Sequence, residues 1–117
     1  MRFVDLPSGA LDGDEHGSRH VTMVELARLD TKTELRVHIA RCGPGGVLGR
    51  HPAGLHQLFT VVSGSGWVAD STGRSVPVVE GQAVLWSPGE VHESGSETGM
   101  IVAIVASATP FVDDEPR

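Results

Sequence analysis

With 117 residues and a formal net charge of −6, the chain has room for one hydrophobic core but not two, and it lacks the clustered basic face of a nucleic-acid reader, so no nucleic-acid partner is expected. Its single cysteine, Cys42, excludes an intrachain disulfide framework. The longest apolar run, "MIVAIVA" from Met100 to Ala106, is far too short to cross a bilayer, and the opening "MRFVDLPSGALDGDEHG" has neither the basic start nor the apolar stretch of a signal peptide, so a soluble cytoplasmic protein is expected.

In chain order, residues 1–17 are polar and without periodicity and are expected to be loosely held. "TMVELARLDTK" reads as a helix or, through Thr22, Val24 and Leu26, as a strand. "ELRVHIAR" alternates, with Leu35, Val37 and Ile39 on one side and Glu34, Arg36 and His38 on the other, which marks a strand with one apolar face. After the "GPGG" turn come His51 and His56. The runs "HQLFTVVS" and "MIVAIVA" are bounded by glycine and rich in β-branched residues, as strands buried on both faces would be. "GWVAD", "SVPVVEG" and "GQAVLW" are shorter pieces of the same kind, and Pro77 predicts an edge strand or a bulge. With 15 glycines and 7 prolines between short strand-like segments, the pattern is that of an all-β sandwich or small barrel. One folded domain is expected over 18–110, followed by an acidic tail over 111–117.

Two glycine-bounded segments carry the chemistry. In the first, Gly45 is followed after five residues by His51; Ala53 stands two positions on, Gln57 four beyond that, and Gly64 closes the segment. In the second, "GQAVLWSPGEVHESGS", Gly81 leads to Ser87, Gly89, His92 and Ser96. Together and in this order they resemble the two motifs of the cupins. Ala53 stands where that family has a second histidine, Gln57 where it has a glutamate, Ser87 where it has a proline and Ser96 where it has an asparagine. The resemblance covers roughly 36–105.

It implies a double-stranded β-helix, or jelly-roll, barrel that is often a homodimer, with "HVTMVELARL" the candidate segment for strand exchange. It also implies one divalent transition metal (Mn, Fe, Co, Ni or Zn) held inside the barrel by His51, Gln57 and His92. Imidazole nitrogen and amide oxygen are suitable donors for such ions. His51, Ala53 and Gln57 share one parity and should face inward together; His56 has the opposite parity and reaches the site only if Gly54 introduces a bulge. Gln57 is either a ligand or a hydrogen-bonding group of the pocket. Two functions are open: a metal-dependent enzyme on a small oxygen-bearing metabolite, or a non-catalytic small-ligand-binding or sensing module without metal.

The remaining candidates carry simpler readings. His38 lies on the polar side of its strand and reads as solvated; His16 and His20 lie near the chain start. Trp67 is expected to close a barrel end, and Trp86 either does the same or walls the pocket over His92. Glu90 and Glu93 flank His92 and either orient its ring or remain solvated. Neither a nucleophile elbow nor a phosphate loop is present, and Cys42 reads as inert.

Overall fold

The computed structural model describes residues 1–2, 5, 7–11, 16–29 and 34–111, with the side chains of 26–29 outside that description. The chain forms eight strands: β1 (Ser8–Leu11), β2 (Arg19–Leu29), β3 (Leu35–Pro52), β4 (His56–Ala69), β5 (Ser75–Val79), β6 (Ala83–Trp86), β7 (Val91–Ser96) and β8 (Met100–Ser107). All pairings are antiparallel. The ambiguous "TMVELARL" segment is therefore strand, bonded to β1 on one side and β3 on the other. Ser8–Leu11 and His16, within the segment expected to be loosely held, are part of the fold; of the tail over 111–117, only Phe111 lies within the described residues.

The two longest strands, β3 and β4, each serve both layers of the barrel. The first half of β3 pairs with β2 and β8, and its second half pairs with β7. Likewise β4 pairs first with β8 and β6, then with β7 and β5. Strands change sheets at such corners through bends and bulges, and the turning points here are glycines. Gly45 has φ +75° and Gly64 φ +83°, a region that costs glycine nothing and a branched residue a great deal. At Gly64 a Cβ would also meet the Gly99 carbonyl at 2.4 Å. The result is an all-β jelly roll. Pro77 sits in β5, which among the described residues is an edge strand bonded only to β4, a position where proline is tolerated.

One end of the barrel is packed with small apolar side chains: Val21, Ala40, Cys42, Val61, Met100 and Val102 are all buried. Ser96 closes this end, its hydroxyl donating to the Ser65 carbonyl at 2.6 Å and accepting the Gly99 N–H at 2.8 Å. Burial raises the pKa of the Cys42 thiol, partly opposed by a hydrogen bond to Ser96, and so keeps it protonated.

Two expectations about strand faces are corrected. Neither β4 nor β8 is buried on both faces: in β4 Phe59 and Val61 are buried whereas Val62 is exposed, and in β8 Met100, Val102 and Ile104 point inward whereas Ile101, Ala103 and Val105 are half-exposed on the outer surface. In β3 the polar side is the inner one. Arg36 and His38 line the interior, in parity with buried Ala40 and Cys42. Leu35, Val37 and Ile39 lie half-exposed outside. The alternation was real, but it faces the opposite way because the interior at this end is an open polar cavity instead of a packed core. Trp67 is corrected as well. Its neighbour Val68 takes the inward position, and Trp67 lies outside, against Gly95, where an added Cβ would meet its ring at 2.6 Å. It does not close a barrel end.

Candidate functional site

At the end opposite the packed core lies a cavity of about 230 Å³. Its floor is apolar, made by Phe59 of β4, Ile104 of β8 and Leu48 of β3. Above the floor it turns polar, with His51, His92, Gln57, Ser94, Arg36, His38 and His16. A larger open groove of about 500 Å³ beside β5 and β6 takes in Trp86 and Glu90 but no histidine; its volume is mostly unenclosed surface.

His51 and His92 are register partners on β3 and β7. Their rings lie 4.6 Å apart, centroid to centroid, at 62°. A bulge makes this meeting possible: between Leu48 and His51 the β3–β7 register shifts by one residue, so that Leu48 and His51, three apart, both reach the cavity. Trp86 stacks on the other face of His92 at 4.9 Å and 14°, and its buried Nε1 has no hydrogen-bond partner. Trp86 thus walls the site over His92.

Both imidazoles are held in the same tautomer. His51 Nδ1 lies 2.6 Å from the Gly49 carbonyl and His92 Nδ1 lies 3.2 Å from the Glu90 carbonyl. A carbonyl oxygen only accepts, so each neutral ring carries its proton on Nδ1 and keeps the Nε2 lone pair. This is the arrangement found behind metal-ligating histidines. The orienting group at His92 is the Glu90 backbone; the Glu90 carboxylate instead accepts the Ser87 N–H at 2.9 Å, and Glu93 sits at the Ala69 register position on β7. Burial pushes the His92 pKa below 6.5, with nearby His51 adding to the shift and the Glu90 carbonyl opposing it.

Gln57 enters from β4, its register partner being Trp86, and lines the same cavity as the two histidines. His56 pairs with Ser107 and does not line the cavity. Ala53, at the place of a third ligand, is buried. Three basic residues without an expected site role also reach the cavity: His16, Arg36 and His38. His38 lies 3.7 Å from the Glu25 carboxylate. His16 is exposed, has φ 59° and stacks on His51 at 4.6 Å and 19°. It is brought there because the chain at 16–18 crosses Gly49 so closely that a Cβ would lie 1.3 Å from the His16 carbonyl oxygen, while the Gly49 N–H donates to Ser18 Oγ at 3.1 Å. Arg36 and His38 were detectable in principle, since they share parity with Ala40 and Cys42; nothing around His16 in the sequence marks it.

The donor chemistry fits a divalent transition ion in an open site: two imidazoles with free Nε2 lone pairs and a neutral amide. Among the described residues, no three His, Cys, Asp or Glu side chains are grouped to hold a metal by themselves.

No family model and no curated protein matches the chain in sequence. Solved structures do match in fold. A predicted oxalate decarboxylase from Thermotoga maritima superposes with TM-score 0.73 at 20% identity, covering 87% of this chain and 93% of that one. The polyketide cyclase RemF from Streptomyces resistomycificus gives 0.75 at 20% identity, over 93% and 80%. A cupin-2 domain protein from Rhodospirillum rubrum gives 0.73 at 16% identity, over 97% and 81%. At these identities the likeness establishes the cupin fold.

Proposed function

We propose that the chain binds one divalent transition metal through His51 and His92, with Gln57 as a third, neutral donor, and acts as a small metal-dependent enzyme on an oxygen-bearing metabolite. The observation that carries this reading is the matched tautomer of the two facing imidazoles, each fixed through Nδ1 to a backbone carbonyl. When bound, the metal would supply Lewis acidity, polarising a substrate oxygen in positions that the protein leaves open. The chain's own residues do the rest. The two carbonyls orient the imidazoles, Trp86 shields His92 on one face, and Phe59 and Ile104 form a dry floor that excludes bulk water from below.

The test is elemental analysis of protein purified without chelator. Near-stoichiometric metal in the wild type, lost in both His51→Ala and His92→Ala, is the expected result; metal-free wild-type protein that also takes up none of Mn, Fe, Co, Ni or Zn on reconstitution overturns it.

A second reading, a non-catalytic module that holds a small ligand without metal, draws on Ala53 in the place of a histidine and on the lack of a carboxylate among the described cavity-lining residues. Metal-free protein that binds its ligand with unchanged affinity after metal addition would favour it. The homodimer and the cytoplasmic setting belong to this proposal too. The half-exposed apolar outer face made by Val37, Ile39, Ala103 and Val105 supports a dimer, and light scattering tests it. Among the described residues no helix is long and apolar enough to cross a membrane.

A further inference from the structure

Trp67 has no part in the barrel site. It stands in one cross-strand row with Pro77 of β5 and Gly95 of β7, so all three share the outer face of the sheet. Its six-membered ring covers Gly95, where a Cβ would meet Cζ2 at 2.6 Å and Cε2 at 2.8 Å. Glycine at 95 therefore seats the indole against backbone on one side, while the residue as a whole stays half-buried. Among the described residues, the ring contacts join His16, His51, His92 and Trp86, and none involves Trp67.

A cleft of about 210 Å³ runs beside this indole, lined by Ser65, Gly66, Trp67, Glu97 and Thr98. Backbone bonds fix its walls. Ser96 Oγ ties the Ser65 carbonyl to the Gly99 N–H, at 2.6 Å and 2.8 Å, and the Gly45 N–H donates to the Glu97 carbonyl at 3.2 Å. The Glu97 residue is exposed, and among the described residues its carboxylate is in neither ion pair. The described lining thus offers an indole, one carboxylate and two hydroxyl oxygens, with no cationic side chain. An aromatic face is the negative end of the ring quadrupole. Together with the carboxylate, on a chain of net charge −6, it favours a cation.

We propose that this cleft is a second ligand site, on the outer face of the barrel and separate from the histidine cavity, for a small compound bearing a trimethylammonium group. The ammonium methyls lie on the Trp67 indole, the Glu97 carboxylate balances the charge, and a polar substituent reaches the Ser65 and Thr98 hydroxyls. Trp is the strongest of the aromatic partners for such a cation. The volume sets the size: about 210 Å³ is the liquid share of about seven waters, which suits a molecule as large as choline. The site stands independently of the metal reading, since it shares no residue with the cavity.

The experiment is titration of the ¹⁵N-labelled protein with choline and, in parallel, with 3,3-dimethylbutan-1-ol, which has the same shape without the charge. The readout is the pair of indole N–H signals, assigned by Trp67→Phe; with only two tryptophans in the chain, they report the cleft and the barrel site separately. Choline is expected to shift the Trp67 signal saturably and leave the Trp86 signal in place, with the neutral isostere about fivefold weaker or worse. Glu97→Gln should weaken choline about two- to fivefold and leave the isostere unchanged, and Trp67→Leu should abolish binding of both. Equal binding of choline and isostere overturns the proposal, as does a shift of the Trp86 signal alone, no saturable shift, or unchanged choline affinity in Glu97→Gln. If Trp67→Leu does not fold, the charged-to-neutral ratio and Glu97→Gln decide. Free metabolites and phosphatidylcholine headgroups carry the same group: cosedimentation with phosphatidylcholine vesicles, competed by choline, assigns the lipid source, and choline binding without it assigns the free compound.

Discussion

At the scale of single residues, the site is defined by what each donor can and cannot contribute. Gln57 is neutral, so Gln57→Glu places a negative charge among the imidazoles without changing side-chain length. Divalent-metal affinity should rise tenfold or more, measured by competition with a chelator, because a carboxylate is a better donor for these ions than an amide; an unchanged affinity would show that position 57 does not touch the ion. His92 supplies a pH dependence. Its folded pKa lies below 6.5 because burial disfavours the cation, so the unfolded chain takes up its proton first as pH falls. The associated stability is present above 6.5 and drains away as pH drops below it toward the folded value. Metal-free wild type should therefore lose melting temperature between pH 7 and 5 more steeply than His92→Gln, which has no imidazole to protonate. Equal slopes would show that other groups govern the acid limb. The pairing of positions 51 and 92 was legible only through the resemblance of the two glycine-bounded segments to the cupin motifs. The orienting carbonyls of Gly49 and Glu90 were not, since any residue type supplies a carbonyl.

At the scale of elements, β3 shows how far periodicity reaches. Alternation alone identified the strand, yet it could not say which side faced in, because period two is symmetric under exchange of faces. The usual assignment, apolar side inward, holds for a packed core. Here the same strand passes from a packed end, at Ala40 and Cys42, to an open polar cavity, at His38 and Arg36, without changing parity. The segment 16–18 depends on contacts that only the folded chain assembles. Gly49 allows that segment to cross β3, and Gly49→Ala would drive a methyl group into the His16 carbonyl. The segment should lift, losing the stack on His51 and the Ser18 hydrogen bond. A stability loss of about 1–3 kcal/mol is expected, as for an overpacked site, together with faster proteolysis near residue 16 and a shifted His51 ring resonance. A variant as stable as wild type with an unmoved His51 signal would show that the crossing is not a determinant of the site.

At the scale of the whole molecule, metal, fold and cavity are thermodynamically linked. The proposed ligands come from three strands, β3, β4 and β7, that meet only when the barrel is closed, so an ion bound to all of them would bind the folded state and not the unfolded chain. Free metal at one hundred times its dissociation constant then adds about 2.7 kcal/mol of stability. For a domain of this size that corresponds to a rise in melting temperature of about 10 °C, reversed by chelator. The same titration separates the site from surface adsorption. In His51→Ala one of two imidazoles is gone and the shift should fall to a small fraction of the wild-type value, whereas His56→Ala, altering a residue outside the cavity lining, should leave the shift intact. A shift that persists in His51→Ala, or vanishes in His56→Ala, would move the ion out of the barrel altogether.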